Sequence, residues 1–125
     1  MAAPNIVNVT SIYGKTAFDA DISTSDETLL QNNASSNKLL KVNTLIIANI
    51  DGTNSAEITA TIKSADGSTV YGYLCKTVTV PPDTTLVLIS KDTSIYLEED
   101  RELTLDASTA GDLSATCSYE EIDDA

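Results

Sequence analysis

The feature that most constrains the fold is an alternation of apolar and polar residues that recurs between short turn sequences. Ile58, Ala60 and Ile62 alternate with polar residues, which is the pattern of a β-strand with one buried and one exposed face. An Asp-Gly pair precedes this segment at 51–52 and another follows it at 66–67. Because such pairs supply the positive φ angles of a tight hairpin, the segment predicts consecutive antiparallel strands.

Similar strand signals recur along the rest of the chain. Further candidates lie at residues 40–50, 70–80, 85–89, 95–97, 103–107 and 113–119. No segment has the three-and-four apolar spacing of a confident helix. Eight or nine short strands at roughly ten-residue spacing predict an all-β fold, either an antiparallel β-sandwich or a jelly-roll-like domain.

Two of these strand candidates carry additional information. In the segment 40–50, Ile46 and Ala48 lie on one face and Leu45 and Ile47 on the other, which predicts a central strand covered on both sides. In the segment 70–80, Gly72 interrupts a row of apolar residues, which predicts a bulge or a close backbone contact within a long strand.

The chain length and the polar regions predict one domain with an extended start. A chain of 125 residues suits a single hydrophobic core. Ile6, Val7 and Val9 form a short strand candidate, and the Asn- and Ser-rich stretch at 32–37 indicates a loop. We therefore predict an N-terminal arm or edge strand with a polar loop at 1–37 and a β-sandwich body at 38–125.

The charge of the chain restricts its partners. Its 19 acidic and 7 basic residues give a net charge of −12 and a pI near 4.1, so a phosphate backbone would be repelled and we expect no nucleic-acid binding. The longest apolar stretches, such as the one at 45–48, are far shorter than the ~20 residues of a membrane span. We expect no membrane partner and assembly in a cytoplasm.

The residues for several common catalytic and metal sites are missing from the sequence. The chain contains no histidine, which excludes Ser-His-Asp and Cys-His nucleophiles and histidine-ligated metals. The acidic segment 19–27 resembles the start of a calcium loop, but Thr24 replaces the required turn glycine and Leu30 the closing glutamate. A weak calcium site there, or around Asp51 and Asp66, remains an open alternative. We predict no enzyme activity, no cofactor and no dedicated metal site.

The cysteines and tyrosines each allow two interpretations. Cys75 and Cys117 have strand-like surroundings and fit small buried hydrophobic residues, although they would pair if their strands were neighbours. The five tyrosines, of which Tyr71 and Tyr73 are the closest pair, would form a stacking surface for sugars or a partner protein. Alternatively, their rings lie at sheet margins with the hydroxyl groups in water.

Three segments of the chain resemble a known family. These are the N-terminal run from Pro4 to Thr16, the run from Ser94 to Glu99, and the run from Ser118 to Ile122. Together they make the chain similar to small virion structural proteins of tailed phages that infect marine cyanobacteria, over nearly its whole length. The shared motifs are structural rather than catalytic, so the resemblance implies a multi-copy assembly protein of the virion.

Combined with the residue-based predictions, the resemblance favours a capsid decoration or cement protein. We expect a homo-oligomer, namely a trimer. It would bind the major capsid protein or another virion protein from outside the shell. The residues predicted to contact partners are the N-terminal strand and two tyrosines, namely Asn5, Ile6, Val7, Asn8, Val9, Thr10, Tyr71 and Tyr73. The alternatives are a neck, collar or tail component of the virion and a carbohydrate-binding β-sandwich module.

Overall fold

The structure is a computed structural model that describes residues 6–123. This part of the chain forms nine β-strands and one turn of 3-10 helix, Lys91–Thr93, and contains no helix long and apolar enough to cross a membrane. The strands are β1 (Ser11–Asp19), β2 (Glu27–Asn32), β3 (Lys38–Asn49), β4 (Ala56–Ser64), β5 (Val70–Val80), β6 (Thr85–Ile89), β7 (Ile95–Leu97), β8 (Arg101–Ala107) and β9 (Leu113–Asp123).

The strands form two antiparallel sheets. The first sheet has the order β1-β9-β3-β6, with the short β7 also paired to β3, and the second sheet has the order β2-β8-β4-β5. Apart from β7, eight strands thus divide equally between two stacked sheets in the order of a jelly roll. The predicted antiparallel sandwich is confirmed, and the strands expected at 85–89 and 95–97 have those bounds.

The core lies between the two sheets and consists of aliphatic residues. Leu45, Ile47 and Leu113 of the first sheet are fully buried, as are Ile58 and Leu105 of the second. No Trp is present and the sole Phe is Phe18, whose side chain is 72% exposed. Burying each large aliphatic side chain stabilises the fold by about 1.5–3 kcal/mol.

Of the arm or edge strand with a polar loop predicted at 1–37, the structure has the edge strands and a loop between Asn32 and Lys38. β1 pairs with β9 along nine residues and β2 pairs with β8, so both belong to the sheets as edge strands. The loop between them places Ile22 in the core, fully buried. Because such burial stabilises the whole sandwich, residues before 38 are integral to the domain.

The short N-terminal strand expected from Ile6, Val7 and Val9 is not formed. Residues 6–10 follow turns and bends, and Thr10 connects to the sheet through an N–H that donates to the carbonyl of Asp123 at 2.9 Å. Asn5 lies outside the described residues. An apolar alternation over only four residues is too short to specify a strand without a partner to complete the ladder.

The turn at 66–67 differs in detail from the expected hairpin. Gly67 has a φ of +78°, whereas Asp66 does not adopt a positive φ. Asp66 instead accepts hydrogen bonds from the Ser64 hydroxyl and from the Ser68 hydroxyl and N–H at 2.6–2.9 Å. This loop is therefore held by a carboxylate that organises its backbone, as Asp commonly does in turns.

The irregularity predicted at Gly72 is confirmed, and β5 contains more of them. The pairing of β4 with β5 shifts register at three points. One of them lies between Val70 and Gly72, which pair with Lys63 and Ile62. A second lies between Ile58 and Ala60, where Thr77 of β5 has a φ of +49°. These bulges give the exposed margin of the second sheet an irregular shape.

Candidate functional site

The five tyrosines do not form one stacking surface. Tyr71 and Tyr73 lie on the edge strand β5 of the second sheet and are about half exposed. Tyr13 and Tyr96 belong to β1 and β7 of the first sheet, and Tyr119 packs against the core. Only the pair predicted as contact residues is therefore brought together.

Both tyrosines of this pair interact with cations. The guanidinium carbon of Arg101 lies 4.1 Å from the centre of the Tyr71 ring, and the ammonium of Lys76 lies 5.3 Å from that of Tyr73. Such contacts stabilise exposed aromatic rings by about 0.5–1 kcal/mol. Each ring thus already has a partner on one side within the chain.

A polar groove of about 400 Å³ runs along the outer face of the second sheet beside Tyr73. It combines hydroxyl groups, two carboxylates, two amines and one aromatic ring. The residues that line it are Asp26, Thr59, Thr61, Lys63, Val70, Tyr73, Lys76, Thr77 and Asp106. Sequence reasoning missed this groove because its carboxylates and amines come from segments that are far apart in the chain.

The charges in the groove influence one another. Lys63 forms an ion pair with Asp26, and this hydrogen bond raises the pKa of the Lys63 ammonium. Burial raises the pKa of the Asp106 carboxyl, and the negative charge of Asp26 adds to the effect. A ligand with several hydroxyl groups would find both donors and acceptors here, together with an aromatic ring for stacking.

The outer face of the first sheet has a different character, because its central part carries no charge. In the β1–β9–β3–β6 register, Phe18 pairs with Thr116, Thr116 with Ile46, and Ile46 with Val87. The outward side chains of this uncharged face are Thr16, Phe18, Ser114, Thr116, Ser118, Thr44, Ile46, Ala48, Thr85 and Val87. Phe18 and Val87 are 72% and 56% exposed.

The uncharged face departs from the composition of the chain as a whole. Charged residues make up 21% of the sequence, yet none occurs among these outward positions. Lys41 and Glu120 lie opposite each other in the β3–β9 register at one end of the sheet and mark the limit of the face. Depletion of charge around exposed apolar side chains is typical of the central part of protein interfaces.

The β3 strand, predicted to be covered on both sides, is covered on one. Its inward residues Leu45 and Ile47 are fully buried between the sheets, whereas its outward residues Ile46 and Ala48 are partly exposed. Within residues 6–123, therefore, nothing fully covers the apolar residues on the outer face of β3.

The two groups of predicted contact residues lie on opposite margins of the sandwich. β1 contacts β2 at one margin, and β5 contacts β6 at the other. Residues 6–10 lead into β1, whereas Tyr71 and Tyr73 lie on β5. A single small ligand or partner segment would not span both groups.

Cys75 and Cys117 are both free, and their strands are not neighbours in a sheet. Cys117 belongs to β9 of the first sheet and is fully buried, which raises the pKa of its thiol to about 12. Cys75 belongs to β5 of the second sheet, packs against the core and donates to the carbonyl of Ile58 at 3.5 Å. The interpretation as a buried hydrophobic residue fits Cys117, whereas Cys75 is half-buried.

The carboxylates considered as weak calcium ligands serve the loops. Asp21 accepts a hydrogen bond from the N–H of Gly111 at 2.8 Å, and Asp51 accepts from the N–H groups of Thr53 and Asn54 at 2.7 and 3.0 Å. These donors lower the pKa of the Asp51 carboxyl. Within residues 6–123, no three Cys, Asp or Glu side chains are grouped so that they could hold a metal ion.

Comparison with known proteins gives a likeness of fold. No protein-family model matches the chain, and no curated protein matches it significantly. Among solved structures, a chain described under the words "Bacillus endospore appendages form a novel family of disulfide-linked pili" is similar to it, with a TM-score of 0.54 and 12% sequence identity. The match covers 92% of this chain and 90% of that chain. At this identity, the comparison establishes the shared β-rich fold.

Proposed function

We propose that this protein is a non-enzymatic structural component of a virion, and specifically a decoration protein that binds the outside of the capsid. The observation that carries the proposal is the uncharged outer face of the first sheet, with Phe18 and Val87 exposed at its two sides. The family resemblance of the sequence supports the virion as the setting.

The charge of the protein gives this face its importance. With a net charge of −12, most surfaces of one copy repel the same surfaces of another copy and of any acidic partner. The uncharged face avoids this repulsion and offers apolar side chains whose burial contributes about 25 cal/mol per Å². It is therefore the part of the surface best suited to a stable contact.

The size of the face indicates that assembly depends on several contacts. Four strands about 4.8 Å apart and about six residues of 3.4 Å each give a projected area of roughly 400 Å². Stable interfaces bury about 800 Å² per partner, so one such contact would be weak. A protein present in many copies gains from repeated weak contacts, which stabilise the assembled state by mass action.

The similar solved structure is described as part of pili. This supports a role for the present fold in repetitive assembly. The disulfide linkage in that description does not carry over to this chain. Cys75 packs against the core and Cys117 is fully buried, so neither is placed to join two copies.

The copy number of the protein in purified phage particles tests the proposal directly. Quantitative mass spectrometry against the major capsid protein should give hundreds of copies per particle for a decoration protein. A count of about six to a few dozen would favour the neck, collar or tail alternative, in which a closed ring sets the number. Absence from the particle would contradict any virion role.

A second experiment tests which surface attaches the protein. A Phe18→Ser, Val87→Thr double variant should bind shells at least tenfold more weakly, because it removes the two most exposed apolar side chains of the face. A Tyr71→Ser variant on the second sheet is the matched control and should bind normally. A protein lacking residues 1–10 tests the N-terminal contact predicted from sequence. Its failure to bind would indicate that this segment, and not the face, makes the contact.

The groove beside Tyr73 favours a second candidate function, the binding of a saccharide. A sugar ring would displace the Lys76 ammonium from the aromatic ring and exchange hydrogen bonds with Asp26 and Asp106. Titration of host surface polysaccharide, followed by tyrosine fluorescence, should then show saturable binding that Tyr73→Ala abolishes and Tyr13→Ala preserves. No fluorescence change at millimolar sugar would exclude this function.

A further inference from the structure

The four sheet margins differ in how well they are protected against pairing with another strand. Edge strands usually carry bulges or are short, because an open edge is a template for added strands. β2 has six residues and a register shift, β6 has five and a shift, and β5 has three shifts. β1 pairs with β9 along nine residues without any shift.

The outer side of β1 is open. Within residues 6–123, no backbone hydrogen bond outside the β1–β9 ladder involves residues 11–19. The strand is also accessible, since six of its nine residues are exposed. An accessible edge of nine residues whose ladder has no register shift is long enough to accept a complete additional strand.

We propose that this edge pairs antiparallel with β1 of a second copy of the chain, around a two-fold axis at Lys15. The inference rests on the proposed function, since it names the partner and the surface through which copies assemble. Ile12 and Phe18 lie three residues before and after Lys15 and point to the same outer face. Antiparallel pairing centred on Lys15 therefore places each Ile12 opposite the Phe18 of the other copy.

This register is self-complementary at every position except its centre. The two Ile12–Phe18 contacts cover apolar side chains that are 54% and 72% exposed in one copy, and aromatic–aliphatic pairs of this kind strengthen the pairing of neighbouring strands. Ser11 comes opposite Asp19 of the other copy, where its hydroxyl can donate to the carboxylate. The pairing also joins the uncharged faces of two copies into one continuous sheet surface.

Lys15 stands opposite its own counterpart, which would ordinarily oppose pairing. Its ammonium, however, lies 2.9 Å from the Glu121 carboxylate of the same chain. This ion pair offsets the repulsion between the two lysines. A two-fold dimer follows from an isologous contact of this kind, in place of the trimer expected from sequence.

Cysteine crosslinking tests both the pairing and its register. Ile12→Cys and Phe18→Cys proteins are purified separately, mixed in equal amounts and oxidised with copper phenanthroline. Opposite residues have Cβ atoms about 4.5–5.5 Å apart, so the mixture should form a disulfide-linked dimer. Because heterodimers make up about half of a freely exchanging mixture, up to about half of the chains should crosslink.

The single variants are the matched controls. In a dimer of two identical variants, the two introduced thiols would be about 20 Å apart in the proposed register, so neither variant alone should crosslink. The unmodified chain, with only its two native thiols, should stay monomeric on a non-reducing gel, and native mass spectrometry of it should show a species of twice 13.2 kDa.

Two results would overturn the inference: no dimer in the mixture at millimolar concentration, or equal crosslinking of the mixture and the single variants. These outcomes are separate from those of the proposed function. Crosslinking of purified protein does not depend on the copy number in a virion, and a high copy number does not require β1 pairing.

Discussion

The ammonium of Lys15 lies 2.9 Å from the Glu121 carboxylate and thereby ties the edge strand β1 to its neighbour β9. Glu121 also lies 3.5 Å from the ammonium of Lys38 on the other side of β9. The hydrogen bond from Lys15 lowers the pKa of Glu121, and the same contact raises the pKa of Lys15. One carboxylate thus connects three adjacent strands of the first sheet.

This arrangement predicts a loss of stability in acid. Because the pKa of Glu121 is lower in the folded than in the unfolded state, its contribution is present above an unfolded pKa of about 4.3 and is lost as the pH falls through the folded value. Glu121→Gln should lower the free energy of unfolding at pH 7 by less than about 1 kcal/mol, as for other exposed pairs. Urea unfolding at pH 7, 5 and 3 should show a shallower acid decline than in the unmodified protein.

Glu120→Gln is the matched control for this measurement. Glu120 is the adjacent residue of β9 and accepts a hydrogen bond from the neutral Asn43 side chain at 3.2 Å. Its substitution should leave the acid decline unchanged. An equal effect of both substitutions would mean that the general negative charge, and not the Lys15–Glu121 pair, determines the decline.

Asn49 anchors the end of the sandwich at which β3, β4 and β5 meet. Its buried side-chain amide donates to the carbonyls of Asn54 and Val80 at 3.0 and 2.9 Å, and its oxygen accepts from the N–H of Asp51 at 2.9 Å. Asn49→Ala would leave these groups without a partner, and each buried unsatisfied group costs about 1–3 kcal/mol. The expected loss in chemical unfolding is about 2–4 kcal/mol.

Asn43→Ala is the control, since Asn43 is partly exposed and its hydrogen-bond partner is a carboxylate that water can also reach. It should cost less than about 1 kcal/mol, as is usual for surface substitutions. Similar losses for Asn43 and Asn49 would contradict the anchoring role.

The aliphatic core predicts a large difference between inward and outward positions. Leu105 is fully buried between the sheets, whereas Val87 is 56% exposed. Leu105→Ala should destabilise the protein by about 2–5 kcal/mol through lost burial and a residual cavity. Val87→Ala should change the stability by about 0.5 kcal/mol or less. Comparable losses at the two positions, measured in dilute protein, would show that the outer face is covered.

The fold was predictable because most strands have one face in the core. In β4, β8 and β9 the alternation of residues such as Ile58, Leu105 and Cys117 with polar neighbours reflects burial on one side. β1 has no such pattern, since at the sheet margin Tyr13 and Lys15 on its inner side are also exposed. The integration of residues before 38 into the sandwich therefore required the structure.

The candidate surfaces were less predictable than the fold. The groove combines Asp26, Lys63 and Asp106, which only the sheet order brings together. The bulges of β5 separate Tyr73, on the outer face, from Cys75, which packs against the core, although strict alternation would put both on one side. The outward apolar residues of β3 were visible in the sequence, but the sequence did not reveal that the chain leaves them partly exposed.

The two thiols should differ strongly in reactivity in the native protein. With a pKa of about 12, Cys117 would be a thiolate in only about 1 in 10⁴ molecules at pH 8, compared with roughly a quarter for an ordinary cysteine. Cys75 is half-buried, and burial raises its pKa as well. In a dithionitrobenzoate assay at pH 8, Cys75 should react slowly and the fully buried Cys117 more slowly still. Both should react at once in concentrated urea, and fast labelling of Cys117 without urea would show that the first sheet opens readily next to β1.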